Sequence, residues 1–393
     1  MKRVGLTLLK IALVVALGLF VLGQIETRDR LLEPVAGTAP LEHFGDLEGD
    51  WQTGGWTFRE AGTGQVFEPE GQAAGWDLRP GFFSLLAGIR LGLFGLGVLF
   101  WLVLLAIVTL RWQILLRAVE VPTSYPRALR LCFIGYFFNN AMPGLTGGDL
   151  VRAVLVTRGL EEKRTRAAMS VLVDRVMGLF SLLLLAGVVL VVADFGSAGG
   201  DPPRHLPALR RAVLMVVAVA AVGATIWLSR RARRFVRLDA LLARLPARQW
   251  VAKIDDAITA YRNAPFAVLA ALGLSLILQT FGVLTFWAMA AALGSPISLS
   301  GDFVIYPVVQ TASSLPIAPA GWGIGETLYG TFFQWFGTSF TLGVAASLLF
   351  RLTTQLAVGL VGGLVWLLTR EPGDTAVAEA APELGLAMEN SRS

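Results

Sequence analysis

Apolar runs long enough to cross a bilayer alternate with charged connections along the chain, and this alternation predicts the elements. Lys2 and Arg3 precede a run from Val4 to Gly23 with no small-residue cleavage site after it, which reads as a retained membrane helix. Further spans are predicted at about Leu91–Leu110, Ala167–Ala193, Leu209–Leu228, Phe266–Leu293 and Thr341–Thr369. Two more apolar stretches, 128–141 and 303–313, are too short to cross. One runs into Pro143-Gly144-Leu145-Thr146-Gly147-Gly148-Asp149, the other into Leu315-Pro316-Ile317-Ala318-Pro319-Ala320-Gly321-Trp322-Gly323-Ile324-Gly325-Glu326. Backbone that breaks a helix at membrane depth is tolerated only where protein buries it or water reaches it, so each break marks a cavity or pathway. The expectation is an all-α polytopic membrane protein with about six transmembrane helices and two re-entrant broken-helix hairpins.

Polar segments divide the chain further. Residues 24–80 form an acidic insert, placed outside the cytoplasm by its lack of basic excess. Within it, Trp56-Thr57-Phe58-Arg59-Glu60 and Gln65-Val66-Phe67-Glu68 flank Ala61-Gly62-Thr63-Gly64 in the manner of a short β-hairpin. Residues 1–23 then form the first span, 81–193 a first membrane repeat and 264–369 a second. Residues 194–263 hold an extracytoplasmic loop, the fourth span and a basic amphipathic cytoplasmic segment, and 370–393 a disordered cytoplasmic tail. Arg230-Arg231-Ala232-Arg233-Arg234 gives the clearest orientation signal and puts both termini in the cytoplasm.

Composition agrees with this class. The chain is 55% hydrophobic and 16% charged, with a mean hydropathy of +0.64, which no soluble domain of 393 residues carries on its surface. A lone cysteine, Cys132, excludes an internal disulfide framework or a multi-cysteine metal site. His43 and His205 both fall in polar segments, so no imidazole works inside the membrane and no metal or cofactor is expected.

The two halves correspond. Arg111-Trp112 is followed by Val121-Pro122-Thr123-Ser124, and Phe286-Trp287 by Ser295-Pro296-Ile297-Ser298; each leads through a short apolar helix to a break ending in a glycine and an acid. From that acid to the arginine of the next span is 26 positions in one half (Asp149 to Arg175) and 25 in the other (Glu326 to Arg351). Ser170-Val171-Leu172-Val173-Asp174-Arg175 lies beside Ala346-Ser347-Leu348-Leu349-Phe350-Arg351 in the same register. Counting spans, the first break enters from the cytoplasm and the second from outside, so the repeat is inverted, a plan shared by alternating-access transporters.

Chemistry follows from these positions. A half-helix starting after Gly148 or Gly325 offers unpaired N–H groups and a positive dipole end to an anion such as a phosphate headgroup. Arg175 and Arg351 add donors that grip phosphate oxygens in pairs. Asp149, Asp174 and Glu326 balance them or carry protons, Arg152 stands nearby, and Asn139 and Asn140 offer neutral donors and acceptors. The backbone of the breaks is shaped by Pro143, Gly144, Gly147, Gly148, Pro316, Pro319, Gly321, Gly323 and Gly325. Structural readings stand beside these: Asp149 and Glu326 as helix caps, Asp174 and Arg175 as a structural pair, Arg152 as a helix-end partner of Asp149.

In Asn139-Asn140-Ala141-Met142-Pro143, Gly148-Asp149-Leu150-Val151-Arg152, Asp174-Arg175, the Leu315–Glu326 break and Arg351, the chain resembles the flippase-like integral membrane family named after lysylphosphatidylglycerol synthase, over roughly residues 90–370. The resemblance implies a lipid-translocating or lipid-handling domain, in some members fused to an aminoacyltransferase. The leading expectation is a non-enzymatic carrier in a bacterial-type inner membrane that moves an anionic phospholipid or polyprenyl-linked lipid between leaflets. A second is a membrane partner of a glycosyltransferase or other lipid-modifying enzyme. A third, an embedded lipid-modifying enzyme, has no GxSxG, HExxH or paired-cysteine signature to support it.

Overall fold

The computed structural model describes residues 16–35, 37, 39–141, 147–160, 163–192, 206–228, 231, 234–235, 259–314 and 322–369. The expected start of the first span, most of the amphipathic segment before residue 259, the tail 370–393 and the centres of both breaks lie outside these residues. Pro143, Gly144, Pro316, Pro319 and Gly321 fall in those centres.

After a helical stretch at 16–24 and a sheet come eleven helices among the described residues. A short α1 (Phe82–Ala87) leads into α2 (Leu91–Ala118), α3 (Tyr125–Ala141) and α4 (Gly147–Val156). Then follow α5 (Arg164–Val192), α6 (Leu206–Leu228), α7 (Pro265–Ala292), α8 (Leu299–Ser313) and α9 (Ile324–Trp335). Last come α10 (Phe340–Arg351), one π-helical turn (Leu352–Ala357) and α11 (Val358–Thr369). Among the described residues four helical stretches are long and apolar enough to cross a membrane: α2, α5, α7 and the continuous run Phe340–Thr369. The protein is an all-α polytopic membrane protein in its helical part.

One boundary differs from the sequence expectation. Arg111 reads as a flanking charge that ends a span at Leu110, yet α2 continues to Ala118 and buries Arg111 beside Trp112, Leu115 and Leu116. A paired arginine is compatible with the interior, so its charge does not stop the helix.

Packing between the halves is reciprocal. Helices α2 and α7 lie together at the centre, α3 leans on α11, and α8 leans on α5. Thus the first short helix of each half rests on the last helix of the other. The α3–α11 contact is close because glycines face it: a Cβ on Gly362 would strike the carbonyl of Phe133, and one on Gly363 would meet the Phe137 ring at 2.8 Å.

The insert folds into a five-stranded antiparallel sheet: β1 (Asp29–Glu33), β2 (Leu41–Asp50), β3 (Gly55–Glu60), β4 (Val66–Phe67) and β5 (Asp77–Arg79), in the order β4-β3-β2-β1-β5. The expected hairpin is its β3–β4 edge; the other three strands escape a local reading because β1 and β5 pair across nearly the whole insert. Leu31, Trp56, Phe58 and Phe67 make a small core. Asp29 ties the sheet to α1, its carboxylate accepting from Gly81 N (2.6 Å), Leu47 N (3.0 Å) and Ser84 Oγ (3.0 Å). The β2–β3 turn docks onto the helix ends: Gln52 Nε2 donates to the carbonyls of Gly88 (2.9 Å) and Ala292 (3.2 Å), and Arg90 Nη2 donates back to Gln52 O (2.9 Å). Gly294, at φ 79°, leaves room for the Trp51 ring above it. A sheet too small to stand alone in water is thereby fixed to the membrane part.

Candidate functional site

The acid and the arginine at matched repeat positions pair with each other in each half. In the first half Arg175 grips Asp149 with two nitrogens, Nη2 to Oδ1 at 2.9 Å and Nε to Oδ2 at 2.6 Å. In the second, Arg351 Nε lies 2.9 Å from Glu326 Oε1. That second contact is ionic rather than an aligned hydrogen bond, since Oε1 has no well-angled donor among the described residues. Glu326 also caps its own helix: Oε2 accepts from Gly323 N at 2.7 Å. Capping and charge pairing therefore coexist in one carboxylate.

Local backbone makes these couples possible. Gly323 takes φ 82°, a conformation that a side chain would strain, and its missing Cβ also clears Leu17 from the N-terminal helical stretch. A Cβ on Gly325 would collide with the Arg351 guanidinium, so this glycine is the floor on which the arginine lies. Gly148 abuts the carbonyl of Gly135 in the same way, which lets α3 and α4 approach. The Arg351 guanidinium also stands 5.1 Å from the Trp322 ring centroid, within cation–π range.

Exposure separates the two couples. The Arg175 side chain is 52% exposed, against 3% for Arg351. The first arginine can be reached from outside the protein; the second is enclosed.

A second layer surrounds each couple, and its chemistry differs between the halves. In the first half Asp174, buried, receives Arg111 Nε at 2.9 Å on Oδ1 and Arg152 Nη2 at 3.4 Å on Oδ2, while Arg111 Nη1 reaches Ser275 Oγ at 3.0 Å. Arg152 also lies over the Trp112 ring, 3.7 Å from its centroid. The matching positions in the second half are Phe286 for Arg111, Phe350 for Asp174 and Tyr329 for Arg152. Phe286 stacks on Tyr329 at 4.3 Å and meets Phe350 edge-on at 5.8 Å. One backbone arrangement thus carries a charged triad in one half and an aromatic triad in the other.

These geometries correct two structural pairings. Asp174 pairs with Arg111 and Arg152 rather than with its neighbour Arg175, and Arg152 takes Asp174 rather than Asp149. Adjacent residues on a helix point about 100° apart, so Asp174 and Arg175 serve different surroundings. The side chains of Asn139 and Asn140 are engaged with backbone: Asn139 Oδ1 accepts from Gly148 N (3.0 Å), and Asn140 Nδ2 donates to Tyr136 O (3.1 Å) and Gln355 O (2.8 Å). The latter bond joins the first hairpin to the π-helical turn that follows Arg351. Arg111, Tyr329 and Phe286 join the site only in three dimensions. The signal for Arg111 was Asp174 itself, a buried acid requiring a cation. Gly147, expected within the break, opens α4, so this helix starts just before the position after Gly148 that the sequence suggests.

Among the described residues no group of three His, Cys, Asp or Glu side chains stands close enough to hold a metal ion.

Comparison with known proteins places this geometry. A family model described as the lysylphosphatidylglycerol synthase TM region matches residues 81–362, which include both breaks, both arginines and both triads and leave the sheet outside. A UPF0104 membrane protein of Methanothermobacter thermautotrophicus is 21% identical over 276 residues, covering 66% of this chain and 80% of its own. Similar proteins from Methanocaldococcus jannaschii (20% over 282 residues; 68% and 82% covered) and Pyrococcus horikoshii (20% over 296 residues; 70% and 87%) are likewise titled UPF0104 membrane proteins. All three relatives are archaeal and none carries a stated substrate. The chain belongs to the lysylphosphatidylglycerol synthase TM-region family, a flippase-like family of integral membrane proteins.

Proposed function

We propose that the protein moves an anionic phospholipid or a polyprenyl-linked lipid between leaflets by alternating access, the two acid–arginine couples forming the inner and outer parts of one headgroup path. The observation that carries this reading is the matched pair Asp149–Arg175 and Glu326–Arg351, each at the mouth of a broken helix and each in a half that packs reciprocally on the other. Six spans and two re-entrant hairpins in an inverted repeat account for that reciprocity. Positive-inside charge puts the termini and Arg175 toward the cytoplasm, and the sheet outside.

In this arrangement Arg175 takes the headgroup first, exchanging part of its hold on Asp149 for phosphate oxygens. Arg152 adds charge from beneath. Arg351 and Glu326 then form the closed gate on the other side, opened when the first closes. Asn139 and Asn140 hold the first break in shape, and Asp174 keeps Arg111 and Arg152 aligned. Lipid movement needs no bond chemistry, and none of these residues is assigned a catalytic step.

The test is reconstitution of the purified chain in liposomes of phosphatidylethanolamine and phosphatidylglycerol with a trace of fluorescent phosphatidylglycerol, read by a leaflet-asymmetry assay. Exchange well above protein-free liposomes is expected, with loss in Arg175→Ala and in the Arg351→Ala, Glu326→Ala double variant. Unchanged exchange in both would falsify the assigned path. A partner role remains the second reading, favoured by the docked sheet, whose Leu41, Phe44 and Val66 are exposed. It predicts stable co-purification with a lipid-modifying enzyme and no exchange by the chain alone.

A further inference from the structure

Asp302 sits in the first turn of α8, is 0% exposed, and neither of its carboxyl oxygens has a hydrogen-bond partner among the described residues. It does not cap the helix, because Ser298 Oγ accepts from Gly301 N at 3.4 Å. An ionised carboxylate there would give up its hydration with no N–H, hydroxyl or cation in return, an arrangement disfavoured by several kcal/mol. In this arrangement the group is therefore the neutral acid.

Its surroundings define a route. The α5 segment that meets α8 contributes Ala186, Val189 and Leu190, and α7 carries no titratable side chain anywhere along its length. On α8 itself the other titratable group is Tyr306, one turn on; on α9 they are Glu326 and Tyr329, and on α10 Arg351. The Tyr329 hydroxyl is buried without a hydrogen-bond partner among the described residues. Toward the sheet side the path is short, since Ser298 and Ser300 at the head of α8 are exposed. Asp302 stands one turn from Tyr306, which shares a buried cluster with Tyr329, one turn on from Glu326, and with Phe350, next to Arg351.

We propose that Asp302 is a proton-binding site that couples opening of the second half to the proton gradient, a role that rests on the lipid-transport reading. When the second half opens, the carboxylate takes a proton from hydronium on the sheet side and leaves water behind. Closure returns the acid to its dry setting neutral, and when the first half opens the O–H bond breaks, the proton leaving to water on the other side as hydronium. Only the protonated form is compatible with closure, so each cycle carries a proton requirement.

The experiment uses the same phosphatidylethanolamine and phosphatidylglycerol liposomes, with pyranine in the lumen and a pH difference imposed in either direction. A gradient of one unit is expected to shift the steady-state leaflet ratio of labelled phosphatidylglycerol in the wild type by about tenfold per coupled proton. The shift disappears in Asp302→Asn and returns in Asp302→Glu. Thermal unfolding in detergent checks that the variants are folded. Pyranine needs no variant and should report lumenal pH change that depends on protein and phosphatidylglycerol together, and that is lost in liposomes of phosphatidylethanolamine and phosphatidylcholine. Wild-type exchange with no response to the gradient, or a full response in folded Asp302→Asn, overturns the coupling and leaves transport standing. Absence of any wild-type exchange overturns both.

Discussion

Arg351 Nε rests 2.9 Å from Glu326 Oε1, with both side chains nearly wholly enclosed, while the corresponding Arg175 grips Asp149 with its own side chain half open. The same couple is thus held in two settings within one chain, and the settings predict different responses to mutation.

For the enclosed couple, removing one partner strands the other charge. Glu326→Gln is expected to lower stability by about 3–5 kcal/mol, and Glu326→Leu with Arg351→Leu to recover most of that loss. A double-mutant cycle on unfolding midpoints in detergent measures the coupling. Additive effects would contradict the pair as a stabilising unit.

The charged and aromatic triads predict that the first half tolerates exchange only as a set. Arg111→Phe alone leaves Asp174 with Arg152 as its one ion-pair partner among the described residues and is expected to cost about 3–5 kcal/mol. Arg111→Phe, Asp174→Phe and Arg152→Tyr together install the chemistry that the second half already accommodates, so the triple variant should unfold later than the single one. If the charged set serves lipid entry, the triple variant should fold and still lose exchange.

His43 makes the sheet sensitive to pH. Burial pushes its pKa down, but hydrogen bonds and charge from Glu60 and Glu33 together raise it above the ordinary 6.5. Its ring nitrogens lie 2.7 Å and 3.3 Å from those carboxylates, and it stacks on Trp76. A group whose folded pKa is raised gives its full stabilisation below the unfolded value and loses it as pH climbs through the folded one. Amide exchange in β1–β3 should therefore quicken on going from about pH 6 to about pH 8. In His43→Gln that pH dependence should vanish; a persistent one would assign it to other groups.

Much of the site was legible in order along the chain. The acid-to-arginine spacing marks matched positions, one acid and one arginine in each half, because a repeat preserves sequence distance; which acid pairs with which arginine is decided in space. The hidden part was the second layer. Arg111 looked like a flanking charge, and Tyr329 and Phe286 looked like ordinary apolar-run residues, since nothing local says which helix will lie across them. Asp302 is hidden for a related reason: an acid near a helix start reads as solvated until burial is known. The sheet was underestimated because only its β3–β4 edge is close in sequence.

What the sequence determined by itself is what depends on short range and on the solvent. Apolar runs dictate helices in a bilayer, prolines and glycines dictate where those helices break, and the repeated spacing marks which acid and which arginine of one half answer those of the other. Tertiary structure decided which charges share a dielectric environment. That choice set Asp174 on Arg111 and Arg152, opened Arg175 while enclosing Arg351, and left Asp302 dry, because electrostatic energies depend on distance and burial in space rather than on order along a chain.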